Sequence, residues 1–218
     1  MYYIGIDIGT SSICGVAYNP ETRETITVTR ENTFSIPADS DDEKLQDPDR
    51  ITDCVAEISG ELTAGRHDVA SIGMTGQMHG IVYVDAAGQL LSPLYTWQDE
   101  TGAQPGPDGK STAARLTERT GYPLASGYGL VTLACHQAAG CIPDGAAAVC
   151  TIADYLAMRL SGRSAPCLTP SMAASLGLFD GTGFDREAVR RAGLPERLLP
   201  EVSEEAELGG GRLRVFAA

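Results

Sequence analysis

The chain has 218 residues, 43% of them hydrophobic, a formal net charge of −13 and a pI near 4.5. This length can form one large domain or two small ones with a sizeable core. The acidic balance argues against nucleic-acid backbones and anionic membranes as partners, because both attract clustered Lys and Arg. The sequence shows no basic leader followed by an apolar run and no apolar stretch of membrane-spanning length, so it predicts a cytoplasmic protein.

The first segment, residues 2–12, predicts a buried strand that leads into a polar turn. Its isoleucines are typical of a strand, and Asp7 interrupts the apolar run just before the turn. Gly9 lets the backbone approach a ligand, and the hydroxyl and N–H groups of Thr10 and Ser11 suit a phosphate. Asp7 would then face a hydrated Mg²⁺. The alternative is a β-hairpin in which Asp7 caps its own turn, and this segment alone favours neither.

The elements that follow predict an α/β fold. Strands are expected at 13–18 and 25–29, which makes a three-stranded meander with the first strand, and then at 69–74, 81–84, 94–97 and 147–151. Apolar residues at helical spacing predict helices at 49–64, 111–119, 130–139, 154–160 and 185–192. The acidic run at 38–50 is interpreted as a solvated loop, and the Gly- and Pro-rich residues 101–109 as another loop.

Two polar groups follow predicted strands, where α/β proteins gather ligand sites. Gln77 and His79 lie in a glycine-bounded turn, and their side chains could form hydrogen bonds with the hydroxyls of a small polar ligand. Trp97, the only tryptophan, precedes Gln98 and Asp99, and an aromatic plate beside such groups suits a sugar. The alternative for Trp97 is a core aromatic.

Other local patterns do not predict a site. Gly109-Lys110-Ser111 lacks the first glycine of a phosphate-binding loop, and Gly127-Tyr128-Gly129 lacks the third glycine of a dinucleotide fingerprint, so both are interpreted as turns. His136 lies between apolar neighbours and is expected to pack in the interior or to lie at a surface tip, not to bind a ligand. Six cysteines without a Cys-x-x-Cys pair predict reduced thiols.

An ordered set of short motifs resembles the N-terminal half of the FGGY carbohydrate kinases, specifically the branch of xylulokinases and sedoheptulokinases. The set is specific because its members follow one another along nearly the whole chain. They are Ile6-Asp7-Ile8-Gly9-Thr10-Ser11, Gln46-Asp47-Pro48, Gly76-Gln77-Met78-His79-Gly80, Trp97-Gln98-Asp99, Ala153-Asp154-Tyr155-Leu156 and Ala173-Ala174-Ser175-Leu176-Gly177-Leu178-Phe179-Asp180.

The resemblance implies an α/β fold of the actin and hexokinase (ribonuclease H-like) type, with a mixed sheet flanked by helices. Residues 1–218 would form the first, sugar-binding lobe of a two-lobed kinase that uses ATP and Mg²⁺ to phosphorylate a ketose such as xylulose or sedoheptulose. Asp7 would face Mg²⁺ through a bound water, and Gly9, Thr10 and Ser11 would shape the phosphate turn. The sugar pocket would be lined by Gln77, Met78, His79, Trp97 and Asp99.

Two departures from the family pattern bear on activity. Glu100-Thr101 stands where relatives usually have Gly-Arg, so an acid replaces a basic residue near the sugar rim. The chain also stops at Ala218, about where the family enters its second lobe, which carries the general base and most of the adenine pocket. We therefore expect no catalytic base in this chain and a C-terminal lobe as its partner.

Two other functions remain open from the sequence. A non-catalytic sugar-binding or regulatory module with a kinase-derived fold would have the same motifs. An actin-like ATPase shares only the first motif, and the Gln77-Met78-His79 turn argues against it. The sequence does not indicate which sugar is used or the oligomeric state.

Overall fold

A computed structural model describes residues 1–204, 207–210 and 214–217. Its centre is a six-stranded mixed sheet in the order β12-β13-β6-β1-β2-β3. Strands β1, β2 and β3 are consecutive and antiparallel, whereas β6 runs parallel to both β1 and β13. The strands of this sheet are β1 (Tyr2–Ile8), β2 (Ser12–Tyr18), β3 (Thr25–Glu31), β6 (Val69–Gly76), β12 (Glu207–Gly210) and β13 (Arg214–Ala217).

Short strands form three smaller sheets beside the central one. The three-stranded sheet β4-β5-β8 matters most for the site, because β5 carries Gln46 and β8 ends two residues before Trp97. The bounds are β4 (Ser35–Ile36), β5 (Leu45–Gln46), β7 (Val82–Val84), β8 (Leu94–Tyr95), β9 (Ala148–Cys150), β10 (Cys167–Leu168) and β11 (Glu201–Val202). Strand β7 pairs with β9, and β10 pairs with β11.

Six helices accompany these strands in the described part of the chain. They are α1 (Pro48–Thr63), α2 (Thr112–Thr120), α3 (Gly129–Ala139), α4 (Ile152–Ser161), α5 (Pro170–Leu176) and α6 (Arg186–Ala192). Single 3-10 turns occupy Thr101–Ala103 and Glu196–Leu198. No helix of the described residues is long and apolar enough to cross a membrane.

Helices α1 and α4 cover one face of the central sheet. Alternate β1 residues Ile4, Ile6 and Ile8 are buried on this face, as the period-two pattern of a half-buried strand requires. A side chain at Gly15 of β2 would collide with Ile58 of α1, so the glycine lets the helix lie directly on the strand. Helix α4 packs against β6 and β13. The sheet therefore has a fixed apolar side, and Asp7 lies on the other side.

The structure confirms most of the predicted elements and corrects some bounds. The meander and the helix after Asp47 are present, and Asp47 caps α1 by accepting from two backbone N–H groups. Strand β6 runs two residues further than expected, to Gly76. The predicted strand at 94–97 ends at Tyr95, which leaves Trp97 outside it. Helix α5 and the 3-10 turn within the predicted 101–109 loop were not expected, and the predicted solvated loop at 38–50 instead contains β5 and the first residues of α1.

Side chains outside the predicted site behave largely as expected. His136 is buried and its ring nitrogen Nδ1 lies 2.8 Å from the Tyr83 hydroxyl, so it packs in the core. Burial lowers the pKa of His136, which favours the neutral ring. All six cysteines are free. Of these thiols, Cys54, Cys150 and Cys167 are buried and Cys141 is exposed.

Candidate functional site

Seven of the nine predicted site residues line a single cavity of about 260 Å³, which we call the cleft. The cleft lies where β1 and β6 end side by side. Its lining comprises Asp7, Gly9, Thr10, Gly76, Gln77, Met78, His79 and Trp97. The predicted phosphate residues and the predicted sugar residues therefore share one site. Ser11 and Asp99 do not line it.

Asp7 is the penultimate residue of β1 and its side chain is exposed. Its backbone pairs with Cys14 of β2 and Thr75 of β6. Its carboxylate makes no hydrogen bond or ion pair with any residue that the structure describes. The alternative in which Asp7 caps its own turn is therefore not observed, although β1 and β2 do form a hairpin. The carboxylate oxygens remain available to a ligand in the cleft.

The 9–12 turn joins β1 to β2 and is closed by a hydrogen bond from Gly9 N–H to the Ser12 carbonyl, 2.9 Å long. A Cβ at Gly9 would lie 2.8 Å from that same carbonyl oxygen, so the tight turn requires glycine. The N–H groups of Thr10 and Ser11 donate to no acceptor among the described residues. Two such free amides in succession can receive an anion.

Buried amide side chains hold this turn in place by hydrogen bonds to its carbonyl groups. Gln77 Nε2 donates to Gln46 Oε1 over 2.9 Å, and Gln46 Nε2 donates to the Thr10 carbonyl over 3.0 Å. Asn32 Nδ2 donates to the Gly9 carbonyl over 2.9 Å. Gln46, Gln77 and Asn32 are all at most 7% exposed, so their paired polar groups rigidify the site.

His79 is held by contacts from elements far along the chain. Its N–H donates to Ser175 Oγ over 3.2 Å, and its Nδ1 lies against the Ser175 carbonyl. The ring stacks on Tyr128 with centroids 4.5 Å apart. Because a carbonyl only accepts, Nδ1 carries the proton, and in the neutral ring Nε2 is left as an acceptor. That acceptor suits a ligand hydroxyl.

Trp97 is 47% exposed, so the core-aromatic alternative is wrong. Its indole Nε1 donates to the Thr10 hydroxyl over 2.8 Å, which ties the ring to the 9–12 turn. Its carbonyl is approached so closely by Gly127 that a Cβ there would collide with it. Met78, half exposed, adds an apolar surface to the same cleft. The indole and the thioether chain thus both line the cavity.

Asp99 is 1% exposed and does not line the cleft. Its Oδ1 accepts from the Thr101 N–H over 3.1 Å and from the Thr101 hydroxyl. Its own carbonyl accepts from Ser126 Oγ over 2.8 Å. Burial raises the pKa of the Asp99 carboxyl. Asp99 therefore shapes the chain after Trp97, with Thr101 as its hydrogen-bond partner.

Four supporting residues were not predicted as site residues. Gln46 and Ser175 stood inside motifs of the resemblance, but nothing in their spacing showed a contact with the site. Tyr128 stood between two glycines and was interpreted only as part of a turn. Asn32 carried no signal in the sequence. All four act through contacts between distant segments.

The sequence matches a known protein family and several of its members. The family model for the N-terminal domain of the FGGY family of carbohydrate kinases matches residues 2–214. The chain is 28% identical over 194 residues to sedoheptulokinase from Mus musculus, covering 76% of this chain and 38% of that protein. It is 30% identical over 169 residues to xylulose kinase from Klebsiella pneumoniae, covering 75% of this chain and 34% of that protein.

Solved structures confirm the predicted fold. The chain resembles a ligand-bound xylulose kinase from Lactobacillus acidophilus with a TM-score of 0.82 and 21% identity, covering 99% of this chain and 47% of that one. It also resembles glycerol kinase from Plasmodium falciparum with ADP, with a TM-score of 0.71, 16% identity and coverages of 99% and 47%. The chain thus spans less than half the length of these relatives. It belongs to the FGGY family of carbohydrate kinases and corresponds to their N-terminal domain.

Proposed function

We propose that this chain is the sugar-binding part of an ATP-dependent kinase that phosphorylates a ketose of the xylulose or sedoheptulose class. The observation that carries the proposal is the convergence of Asp7, the 9–12 turn and the Gln77-Met78-His79 turn on one cleft with Trp97. The sugar class is inferred from relatives that are xylulose kinases and sedoheptulokinases. A small polar substrate also fits a cavity of about 260 Å³.

The sugar side of the cleft is formed by the 77–79 turn and Trp97. His79 Nε2 accepts from a sugar hydroxyl, and Gln77 adds its amide to the same edge. The indole face of Trp97 packs against the apolar face of the sugar. Because the partners of these side chains hold them in place before a ligand arrives, little side-chain entropy is lost on binding.

The phosphate side is formed by Asp7 and the 9–12 turn. The free N–H groups of Thr10 and Ser11 receive phosphate oxygens, and Gly9 allows the close approach. A single unpaired carboxylate fits a Mg²⁺ ion that keeps most of its waters, so Asp7 would hold such an ion through water. When bound, MgATP supplies the transferred phosphoryl group and the charge that offsets its transfer. Asp99 acts here as a support for Trp97, not as a sugar ligand.

No residue of this chain is assigned as the general base. In this proposal the base and most of the adenosine pocket belong to a second lobe that faces the cleft, as the family resemblance implies. The contribution of the chain is to bind the sugar and to hold the phosphates in line with the reacting hydroxyl.

Isothermal titration of the chain with D-xylulose, sedoheptulose and D-gluconate tests the sugar site. We expect one of the ketoses to bind more tightly than gluconate. In His79→Asn, asparagine can adopt the left-handed backbone of this position, but its shorter side chain does not bring an acceptor as far into the cleft. We therefore expect the ketose affinity to fall about tenfold. His67→Asn, at an exposed histidine outside the cleft, is the matched control. Equal affinity for all three ligands, or no effect of His79→Asn, would contradict the proposal.

A further inference from the structure

Gln46 lies behind the cleft on the short strand β5 and is 3% exposed. Its amide joins the two halves of the site, because Nε2 donates to the Thr10 carbonyl and Oε1 accepts from Gln77 Nε2. Asn32 Nδ2 also approaches Gln46 Oε1, at 3.5 Å. A buried amide therefore connects the 9–12 turn to the 77–79 turn although it touches no ligand position itself.

These hydrogen bonds form a ring that runs in one direction. The Thr10 hydroxyl donates to Gln77 Oε1 over 3.4 Å, Gln77 donates to Gln46, and Gln46 donates back to the Thr10 carbonyl. Bonds arranged head to tail polarise one another. The direct contact between Thr10 and Gln77 is the longest in the ring, so the route through Gln46 is the stronger connection.

The Thr10 carbonyl belongs to the same peptide group as the Ser11 N–H. That N–H donates to no acceptor in the described part of the chain. An anion that accepts from it polarises the peptide group and makes the Thr10 carbonyl a stronger acceptor. Since Gln46 Nε2 donates to this carbonyl, the strength of that hydrogen bond depends on whether an anion occupies the turn.

We propose that Gln46 is a positioning residue that transmits phosphate occupancy of the 9–12 turn to Gln77. The inference rests on the proposed function, in which the turn holds phosphate and Gln77 faces the sugar. Phosphate at the turn tightens the ring and holds the Gln77 amide in one orientation. Because coupling between two ligands is reciprocal, bound sugar strengthens phosphate binding by the same factor.

The first test needs no sugar. The 218-residue chain is titrated with magnesium tripolyphosphate, and the side-chain amide signal of Gln77 is followed by nuclear magnetic resonance. We expect the chemical shift of this signal to change in the wild type and to remain constant in Gln46→Met. This variant replaces the amide with an apolar chain of similar length. Gln98→Met is the matched control, since Gln98 is exposed beside Trp97 and its side chain makes no described hydrogen bond.

The second test measures the coupling itself. Trp97 is the only tryptophan, so its fluorescence reports D-xylulose binding with and without saturating tripolyphosphate. We expect tripolyphosphate to tighten xylulose binding about threefold in the wild type and in Gln98→Met, and not to change it in Gln46→Met. Should Gln46→Met fail to fold, Gln46→Glu keeps the acceptor for Gln77 but loses the amide donor, and the same loss of coupling is expected.

A Gln77 signal that still follows tripolyphosphate in Gln46→Met would overturn the proposal. So would a wild-type Gln77 signal that stays still while the backbone amides of the 9–12 turn move. If those turn amides do not move either, both the anion turn and the coupling are wrong. Absence of sugar binding with an intact Gln77 response would count against the proposed function alone.

Discussion

His79 has a left-handed backbone conformation, with φ at 72°, which a residue with a β-carbon adopts at a cost. Three contacts hold it there, namely the hydroxyl and the carbonyl of Ser175 and the ring of Tyr128. The left-handed backbone is thus maintained by the packing of α5 and α3 against the turn. It orients the imidazole toward the cleft.

Ser175→Ala tests whether this support acts on the sugar site. The variant leaves the Ser175 carbonyl in place but removes the hydroxyl that accepts from the His79 N–H and donates to the Met172 carbonyl. We expect a loss of about 1 kcal/mol in the free energy of unfolding and a fall of about threefold in ketose affinity. Urea unfolding and isothermal titration measure the two effects.

Ser161→Ala is its control. The Ser161 hydroxyl also donates to a carbonyl three residues earlier, that of Met158, but it lies at the far end of α4. Its removal is expected to change stability by a similar or smaller amount and to leave ketose affinity unchanged. Equal effects of the two variants on affinity would show that Ser175 has no specific role.

At the scale of elements, the turn before α3 fixes the position of Trp97. Gly127 has φ at 81° and faces the Trp97 carbonyl, whereas Gly145, with the same φ, has open space where a Cβ would be. Both Gly→Ala changes incur the left-handed penalty of about 1–2 kcal/mol, but only Gly127→Ala adds a collision. We expect Gly127→Ala to destabilise the fold by at least about 1 kcal/mol more than Gly145→Ala, measured by urea unfolding.

The N-terminus of α4 carries a buried aspartate that makes stability depend on pH. Thr151 Oγ1 donates to Asp154 Oδ2 over 2.6 Å and accepts from the Asp154 N–H, and the carboxyl is 1% exposed. Burial raises the pKa of Asp154 to about 7, and the hydrogen bonds from Thr151 offset only part of this. The folded state therefore retains a proton that the unfolded chain releases near pH 4.

Because the folded state binds more protons than the unfolded state between about pH 4 and 7, this group lowers stability as pH rises through that window. The loss is at most about 4 kcal/mol, since each pKa unit corresponds to about 1.4 kcal/mol. Asp154→Asn removes the titration, so we expect its stability relative to wild type to increase from pH 4 to 7 and then to level off. Asp53→Asn, at an exposed site on α1, is the matched control for replacing a helical aspartate. A pH-independent difference for Asp154→Asn would contradict the burial argument.

At the scale of the whole molecule, the proposed function makes the described residues one wall of a kinase cleft. We predict that the 218-residue chain shows no ADP formation above background with ATP, Mg²⁺ and a ketose. A positioned base alone contributes a factor of roughly 10² to 10⁴, and an open cleft leaves water around the phosphates. A coupled ADP assay measures turnover, and isothermal titration is expected to show weaker binding of MgATP than of the ketose.

Robust sugar-dependent ADP formation by the purified chain would show that it contains a base that has not been recognised. The same assay on a gene product that carries both lobes separates the two candidate functions. Turnover there supports the kinase, and sugar binding without turnover supports a non-catalytic module.

Local patterns in the sequence were sufficient to predict most of the secondary structure and much of the cleft lining. Alternating apolar residues predicted the meander, and apolar residues at helical spacing with glycine at the helix ends predicted every helix except α5, because these patterns depend on neighbours within a few residues. The ordered motifs also identified the family and seven of the residues that line the cleft. Asp7, Gly9 and Thr10 could be predicted together because they follow one another on a single strand and its turn.

Only the tertiary structure decided which groups meet. The sequence placed Gln77 and Trp97 each after a predicted strand, yet β8 belongs to a different sheet from β6, so a shared sheet edge does not bring them together. They converge because Trp97 Nε1 and Gln77 both bond to Thr10. Asp99, two residues after Trp97, is turned into the interior instead. Contacts of this kind depend on side-chain packing between segments many residues apart, and no periodicity along the chain encodes them.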